Sequence, residues 1–464
     1  MLSVAALGLS YAVAQYGNTL GVALIAGMIG LALIVGAVAN PAFGFYTCIV
    51  VGFYISILER FMNNGLSLDP AVDILIFASF LGVLVKNRVR NESMWEKAAH
   101  PITYFYLVYV LFMILEVFNP SGTSFEGNFF HIRKTIALVV LYFVRCHVFR
   151  SYRDINFYFY FWIIMAALCG VYGCYQKFVG FPAFELSWIK ADKVRMDILL
   201  LDDGTYRKFS TLTDPAAYGI VMAVSAIMAM VILLRMPLKW NRVKLGFGLA
   251  VLLMGMSFSG TRTATFAVVV GIAFYILMTI NEIKTLLFAI FCALSLAFIL
   301  VAPIYGNVTI NRIRSTFEFS NDQSFEVRNV NRASIQPYIR SHPIGGGVLT
   351  SGTSGNKYNP NHYLAGFPPD SGMLRYALET GWIGLILICA FYFFILQQGV
   401  HAFYTLKRRL ARTYLLTAVV TLFGYVMCQY SQVTGQTPQP FLFFSLVAII
   451  VRTIKIENKK PQTI

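Results

Sequence analysis

Charge is scarce in this chain, and negative charge scarcer still. Only 12% of its 464 residues are Asp, Glu, Lys or Arg, with 21 acids against 37 bases, whereas soluble domains carry roughly a quarter charged residues. Water is therefore excluded as the main solvent of the fold. CxxC pairs are absent, and the seven cysteines (Cys48, Cys146, Cys169, Cys174, Cys292, Cys389 and Cys428) lie in or beside apolar segments. That excludes a disulfide framework and a zinc site, and predicts buried thiols. The N-terminus lacks a basic n-region and a convincing cleavage site, so its first apolar stretch is expected to be retained as a span. No internal repeat is visible, and no separate globular module.

What is present is apolar residue in quantity: 58% of the chain is hydrophobic and the mean hydropathy is +0.66. The 40 phenylalanines and 26 tyrosines suit side chains that face lipid and form belts at its two interfaces. Apolar windows bounded by Pro, Gly, Asn and charge predict about fourteen spans, at 2–16, 19–38, 42–60, 70–85, 101–118, 133–149, 155–178, 215–234, 244–258, 262–280, 284–302, 371–397, 412–431 and 438–453. The short first window and the break between Ser257 and Arg262 also allow twelve or thirteen. The expectation is an all-α fold, a polytopic transmembrane helical bundle forming one domain over 1–464.

With fourteen spans and a cytoplasmic N-terminus, the clusters Lys86/Arg88/Arg90/Lys97, Arg145/Arg150/Arg153, Arg235/Lys239/Arg242/Lys244 and Lys407/Arg408/Arg409/Arg412 all fall inside, as does the basic C-terminal tail. Agreement across separate loops is what the positive-inside bias predicts. The same orientation puts two long hydrophilic segments outside, 179–214 and 303–370. These defy the bias by carrying Lys190, Lys193, Arg195, Arg207, Lys208, Arg312, Arg314, Arg328, Arg332, Arg340 and Lys357. A solvated loop or lipid-headgroup contact explains any one of them. Together they suggest a polyanionic substrate at the outer leaflet.

Arg262 stands in Ser257-Phe-Ser-Gly-Thr-Arg-Thr-Ala-Thr between apolar runs, where a guanidinium is costly unless functional or paired. Snorkelling from a helix start is the bland alternative. Gly260 would let backbone N–H groups approach an anion, and a helix beginning at Arg262 would turn its positive dipole end toward it. Arg207 precedes a helix expected to open with Asp214 as cap and Pro215 in the first turn. Arg328 and Arg332, four apart on a short amphipathic helix ending before Pro343, share one face and form a two-arginine clamp or a wet surface. Gly345, Gly346 and Gly347 make a flexible turn with no Walker lysine after it. His362 and Asp370 are the groups that could take a proton from an attacking sugar hydroxyl; a surface histidine and a helix-flanking carboxylate are the plainer readings.

In order and spacing, residues 170–400 resemble the bacterial O-antigen ligase and O-antigen polymerase superfamily. The resemblance is carried by Gly173-Cys-Tyr-Gln ahead of the first long loop, Arg207 with Asp214-Pro215, the Ser259-Gly-Thr-Arg break, Arg328 fourteen residues before His342-Pro-Ile-Gly-Gly-Gly, and Leu374 followed by Glu379-x-Gly381. It implies a GT-C-like bundle with a helical periplasmic loop in the bacterial inner membrane. The implied activity is metal-independent glycosyl transfer, without a cofactor, from an undecaprenyl-diphosphate carrier to a lipid acceptor. That acceptor is lipid A-core for a ligase or a second lipid-linked repeat for a polymerase. Arg207, Arg262 and Arg328 would hold the diphosphate, joined by Arg332 if the clamp forms. Ligase-like members have His-Asn nine residues before the glutamate, where this chain has Asp370; His362 stands eight residues earlier still. The carboxylate substitutes for imidazole, or His362 folds back, or the chain is polymerase-like and needs neither. Membrane lipids are the other expected partners, and nucleic acid is not one. A transporter or flippase of a lipid-linked sugar is the rival class; it usually carries inverted repeats and charged midplane residues, whereas here the charge lies in outer loops and at span ends.

Overall fold

The computed structural model describes residues 18–62, 67–122, 124–201, 204–235, 239–303, 308–316 and 323–458; the first expected span, 2–16, lies outside them. The first half comprises α1 (Asn18–Ala39), α2 (Pro41–Met62), α3 (Asp69–Arg90), α4 (Met94–Ala98), α5 (Pro101–Leu115), α6 (Phe125–Val148), α7 (Tyr152–Phe178), α8 (Ala183–Lys190), α9 (Lys193–Leu199) and α10 (Pro215–Arg235). The second comprises α11 (Lys239–Phe258), α12 (Arg262–Met278), α13 (Ile283–Val301), α14 (Val308–Ser315), α15 (Gln323–Ser341), α16 (Gly352–Tyr358), α17 (Gly372–Glu379), α18 (Gly381–Thr405), α19 (Arg409–Cys428) and α20 (Gln439–Asn458). Among the described residues there is no strand, only the isolated bridges Leu200–Tyr206 and Gly352–Ala365.

Among the described residues, eight helical stretches are long and apolar enough to cross a membrane: α2, Pro101–Phe118 (α5 and the turn after it), α7, α10, α13, α18, α19 and α20. Helices α1, α3, α6, α11 and α12 occupy the other described positions at which spans were expected. The fold is thus the expected polytopic helical bundle. Its boundaries follow local chemistry. Proline opens α2, α5 and α10, where its missing N–H would have had no helical acceptor. Ser151 and Asp154 form a capping box on α7. Asp214 Oδ1 accepts from the N–H groups of Ala216 and Ala217 at 2.7 and 2.8 Å, capping α10 as expected.

Helix α10 is the axis of the bundle. Nearly all of it is buried, against α7, α11, α12 and α19. Its Ala, Gly and Ser positions admit neighbouring backbones closely, the usual route to helix association where lipid offers no hydrophobic contrast. Helix α13, by contrast, buries 6% of its apolar window and lies at the periphery.

Two expectations are corrected. The window 371–397 is not one span: α17 ends at Glu379 and α18 starts afresh at Gly381. The glycine turn causes the break. The N–H groups of Gly346 and Gly347 donate to the carbonyls of Leu378 and Glu379 at 2.9 Å each, satisfying the last carbonyls of α17. Gly381, at φ +67°, presses so closely that a Cβ would lie 2.0 Å from the Pro343 carbonyl oxygen. Nor are all the cysteines buried: Cys174 and Cys292 are partly exposed and Cys389 is exposed on α18. A thiol is a small hydrophobe and tolerates an apolar helix face turned outward.

Gly381→Ala combines a left-handed backbone with that contact and is expected to destabilise the protein by about 2 kcal/mol or more. The thermal unfolding midpoint in detergent measures this; an unchanged midpoint contradicts the account of the break.

Candidate functional site

The break between α11 and α12 lies on the first turn of α10. A Cβ on Gly219 would be 2.5 Å from Ser259 Oγ and 3.0 Å from Thr261 Cβ, so only glycine allows the seat. Thr261 donates its hydroxyl to the Pro215 carbonyl at 3.0 Å. A helix end leaves carbonyls without helical donors, and here basic loops supply them. Arg207 Nε donates to the Ser259 carbonyl at 3.1 Å, Arg312 Nη1 to the Gly260 carbonyl at 3.1 Å, and the Lys208 N–H to the Phe258 carbonyl at 3.3 Å. Arg207 also donates through Nη2 to Thr261 Oγ1 at 2.9 Å.

Gly260 makes this convergence possible. It sits at φ +61°, and a Cβ there would stand 3.4 Å from Arg312 Cδ and 3.7 Å from Arg207 Nε. Burial pushes the Arg207 guanidinium down to about 10; the charges of Arg312 and Arg262 add to the shift, and Asp214 opposes it. It stays cationic at neutral pH. Arg262 opens α12, and no side chain caps that helix, because the hydroxyl of its N-cap residue Thr261 is turned to Pro215 and Arg207. Positive charge and an uncapped helix N-terminus thus meet at one place.

The segment carrying Arg207 is fixed from below. Arg60, buried at the end of α2, donates to the carbonyls of Leu212 and Ser210 at 2.6 Å each and pairs with buried Glu185 of α8 at 3.3 Å. Gln176 joins the network, donating to Glu185 at 2.8 Å and accepting the Ser210 N–H at 2.8 Å. Burial raises the pKa of Glu185 and Arg60 draws it back.

Of the expected site residues, Arg207 and Arg262 come together. Arg332 reaches the same region indirectly: its Nη2 donates to the Tyr430 carbonyl at 3.3 Å and its guanidinium lies 5.2 Å from the Tyr430 ring centre. The next residue, Ser431, shares a 2.7 Å hydrogen bond with Thr263, beside Arg262. Arg328, one turn earlier on α15, is half-buried and makes no hydrogen bond or ion pair among the described residues. The amphipathic reading of α15 holds, since Ile335 and Ile339 pack with Leu364, Leu374 and Leu378.

Asp370 and His362 lie in different settings. Asp370 directly precedes Ser371, the cap of α17, and the first turn of α17 is bound to the 429–432 segment through the Gly372 N–H to Gln432 carbonyl bond at 3.1 Å and the Met373 N–H to Gln429 carbonyl bond at 3.2 Å. Asp370 Oδ2 is buried without a hydrogen-bond partner. His362 packs on the glycine turn, where a Cβ on Gly346 would be 2.7 Å from its Cε1. Its Nδ1 accepts the Leu364 N–H at 3.1 Å, so in the neutral ring the proton sits on Nε2. Burial, with His342 nearby, lowers its pKa.

In the sequence Arg312 is one of many loop charges, and nothing local sets Arg60 apart. Arg60 ends an apolar span beside Glu59, a pattern that reads as interfacial snorkelling. The signal for Arg312 was its spacing from Arg314. The side chain of Arg314 turns to the Ile299 carbonyl at 2.9 Å and the Ala302 carbonyl, at the end of α13, while Arg312 reaches Gly260.

Residues 247–389 match the protein family described as O-antigen ligase. The match covers the α11–α12 break, Arg262, Arg312, α15 and Asp370; Arg207 precedes it. It supports the O-antigen ligase and polymerase superfamily to which the sequence landmarks point, and with it a membrane glycosyltransferase-like function in general. No individually curated protein matches the chain.

Removing Arg60 leaves a buried Glu185 carboxylate without its cation, and such losses cost about 3–5 kcal/mol. Arg60→Met is therefore expected to lower the unfolding midpoint sharply, with Arg60→Met/Glu185→Leu recovering part of it. A double variant no more stable than the single one contradicts the pairing.

Proposed function

We propose that this chain transfers a glycan from an undecaprenyl-diphosphate carrier to an acceptor hydroxyl on the periplasmic face of the bacterial inner membrane, as a ligase or polymerase of O-antigen type. The observation that carries this reading is the meeting of Arg207, Arg262 and Arg312 at an uncapped helix N-terminus. Guanidinium groups match diphosphate oxygens in bidentate fashion, and helix N-terminal amides favour the same charge. The family match and the exclusion of basic loops from the outer face, apart from those that supply the site, support carrier and orientation. The N- and C-termini then lie in the cytoplasm.

The reaction is a single displacement. The acceptor oxygen forms a bond to the anomeric carbon while the bond from that carbon to the carrier diphosphate breaks, its electron pair passing to the leaving oxygen. Arginine stabilises the charge that develops there, and no metal is required for it. The acceptor proton passes to a base. Asp370 is favoured over His362 because its Oδ2 has no hydrogen bond, whereas the basic nitrogen of His362 accepts one from Leu364. Inversion at the anomeric carbon follows.

Purified protein given a lipid-diphosphate oligosaccharide and an acceptor tests this. Arg207→Ala and Arg262→Ala should each slow transfer by about 10²–10³, and Asp370→Asn by about 10²–10⁴; His362→Gln should keep the rate within a few-fold. Full activity in Asp370→Asn removes the proposed base. Carrier translocation without a new glycosidic bond sinks the transferase reading in favour of a flippase.

A further inference from the structure

A cavity of about 740 Å³ is lined in part by the 429–436 segment and by none of the arginines of the α11–α12 break. The segment has two faces. Tyr430 and Ser431 turn to Arg332 and Thr263, whereas Gln429, Val433, Thr434 and Gln436 line the cavity. Pro368 and Pro369, immediately before Asp370, line it too. The carboxylate proposed as base thus follows directly on two residues of the cavity lining and precedes the turn bound to the 429–432 segment.

The cavity has the chemistry of an amphiphile's container. Its lining includes the aromatic rings of Tyr106, Tyr109, Phe391 and Phe444, together with the hydroxyl and amide groups of Ser351, Thr353, Ser354 and Asn356. Two cations line it: Lys134 of α6, paired with Asp69 and Asp73, and Arg375 of α17. Arg375 is held by a single hydrogen bond, Nε to Glu379 Oε1 at 3.1 Å, and about a third of its side chain remains accessible (32%) although protein surrounds it. Its two Nη groups make no hydrogen bond among the described residues. Glu379 is nearly enclosed, and its Oε1 also accepts the Ser351 hydroxyl at 2.6 Å, so the carboxylate is a fixed anchor for the arginine. A guanidinium in the lining of a roomy, largely apolar cavity, with two Nη groups that meet no acceptor among the described residues, is a receptor for a phosphate or carboxylate oxygen pair.

We infer that this cavity binds the acceptor, a lipid-linked saccharide bearing a phosphoryl group, with Arg375 holding that group and the aromatic wall taking apolar chain. This rests on the transferase reading above. The acceptor hydroxyl then meets Asp370 from the cavity side while the donor diphosphate lies on the arginine side. A phosphorylated lipid A-core and a second lipid-diphosphate repeat both present the required chemistry, and the substrate that is consumed identifies the source.

Initial rates in detergent, with donor and acceptor varied separately and each of these two acceptors supplied in turn, test the inference. Arg375→Lys keeps the charge beside Glu379 but loses the fork, and Thr353→Trp fills the rim without touching the Arg375–Glu379 pair. Each should raise the KM for the acceptor by tenfold or more while the donor KM moves less than twofold. An unchanged acceptor KM in both variants, or a rise confined to the donor, overturns the inference alone. Wild-type protein that transfers to neither acceptor overturns the transferase reading, and the inference with it.

Discussion

The bundle depends on how one interrupted helix pair is stitched. Between Phe258 and Arg262 the chain leaves α11 and starts α12, and both sets of orphan backbone groups need partners. Apolar side chains cannot provide them. Arg207, Arg312 and the backbone of Lys208 give donors to the carbonyls of Phe258, Ser259 and Gly260, and Thr261 ties the break to α10. Cations at a helix C-terminus are electrostatically favourable. Their accumulation also charges the adjacent α12 N-terminus, which no side chain caps. One arrangement therefore closes the backbone account of the fold and creates a concentration of positive charge suited to an anion.

From that constraint the remaining pieces follow. Arg60, Glu185 and Gln176 hold the Arg207 segment through hydrogen bonds and one ion pair, contacts that offset the entropic cost of about 1–2 kcal/mol per residue of ordering that loop. The glycine turn Gly345–Gly347 and Gly381 fix α17 against the loop region. The 429–432 segment then receives α17 on one side and Arg332 on another, joining outer-loop helices to the break. Rigid supports of this kind keep a reacting geometry within tolerance.

The spans were legible in the sequence because apolar windows of spanning length and the residues that interrupt them are local features. Asp214-Pro215 gave the start of α10, and Arg262 the start of α12, for the same reason. The division of 371–397 was not legible, since Gly381 looks like a tolerated helix glycine until Pro343 and the glycine turn come against it from nearly forty residues away. Arg60 was missed on similar grounds: its partners Glu185, Ser210 and Leu212 are brought to it only by tertiary packing. The pairing of Arg207 with Arg262 was proposed from landmarks, whereas Arg312 as a third member required the course of α14 beside the break.

The central claim is that the α11–α12 break holds a lipid diphosphate. A cryo-electron microscopy map of the protein in lipid nanodiscs, with an undecaprenyl-diphosphate saccharide supplied, tests it most directly. The account predicts phosphate density within hydrogen-bonding distance of the Arg207 and Arg262 guanidinium groups and the first-turn amides of α12. Phosphate density seated elsewhere, with the break occupied by protein alone, would contradict it.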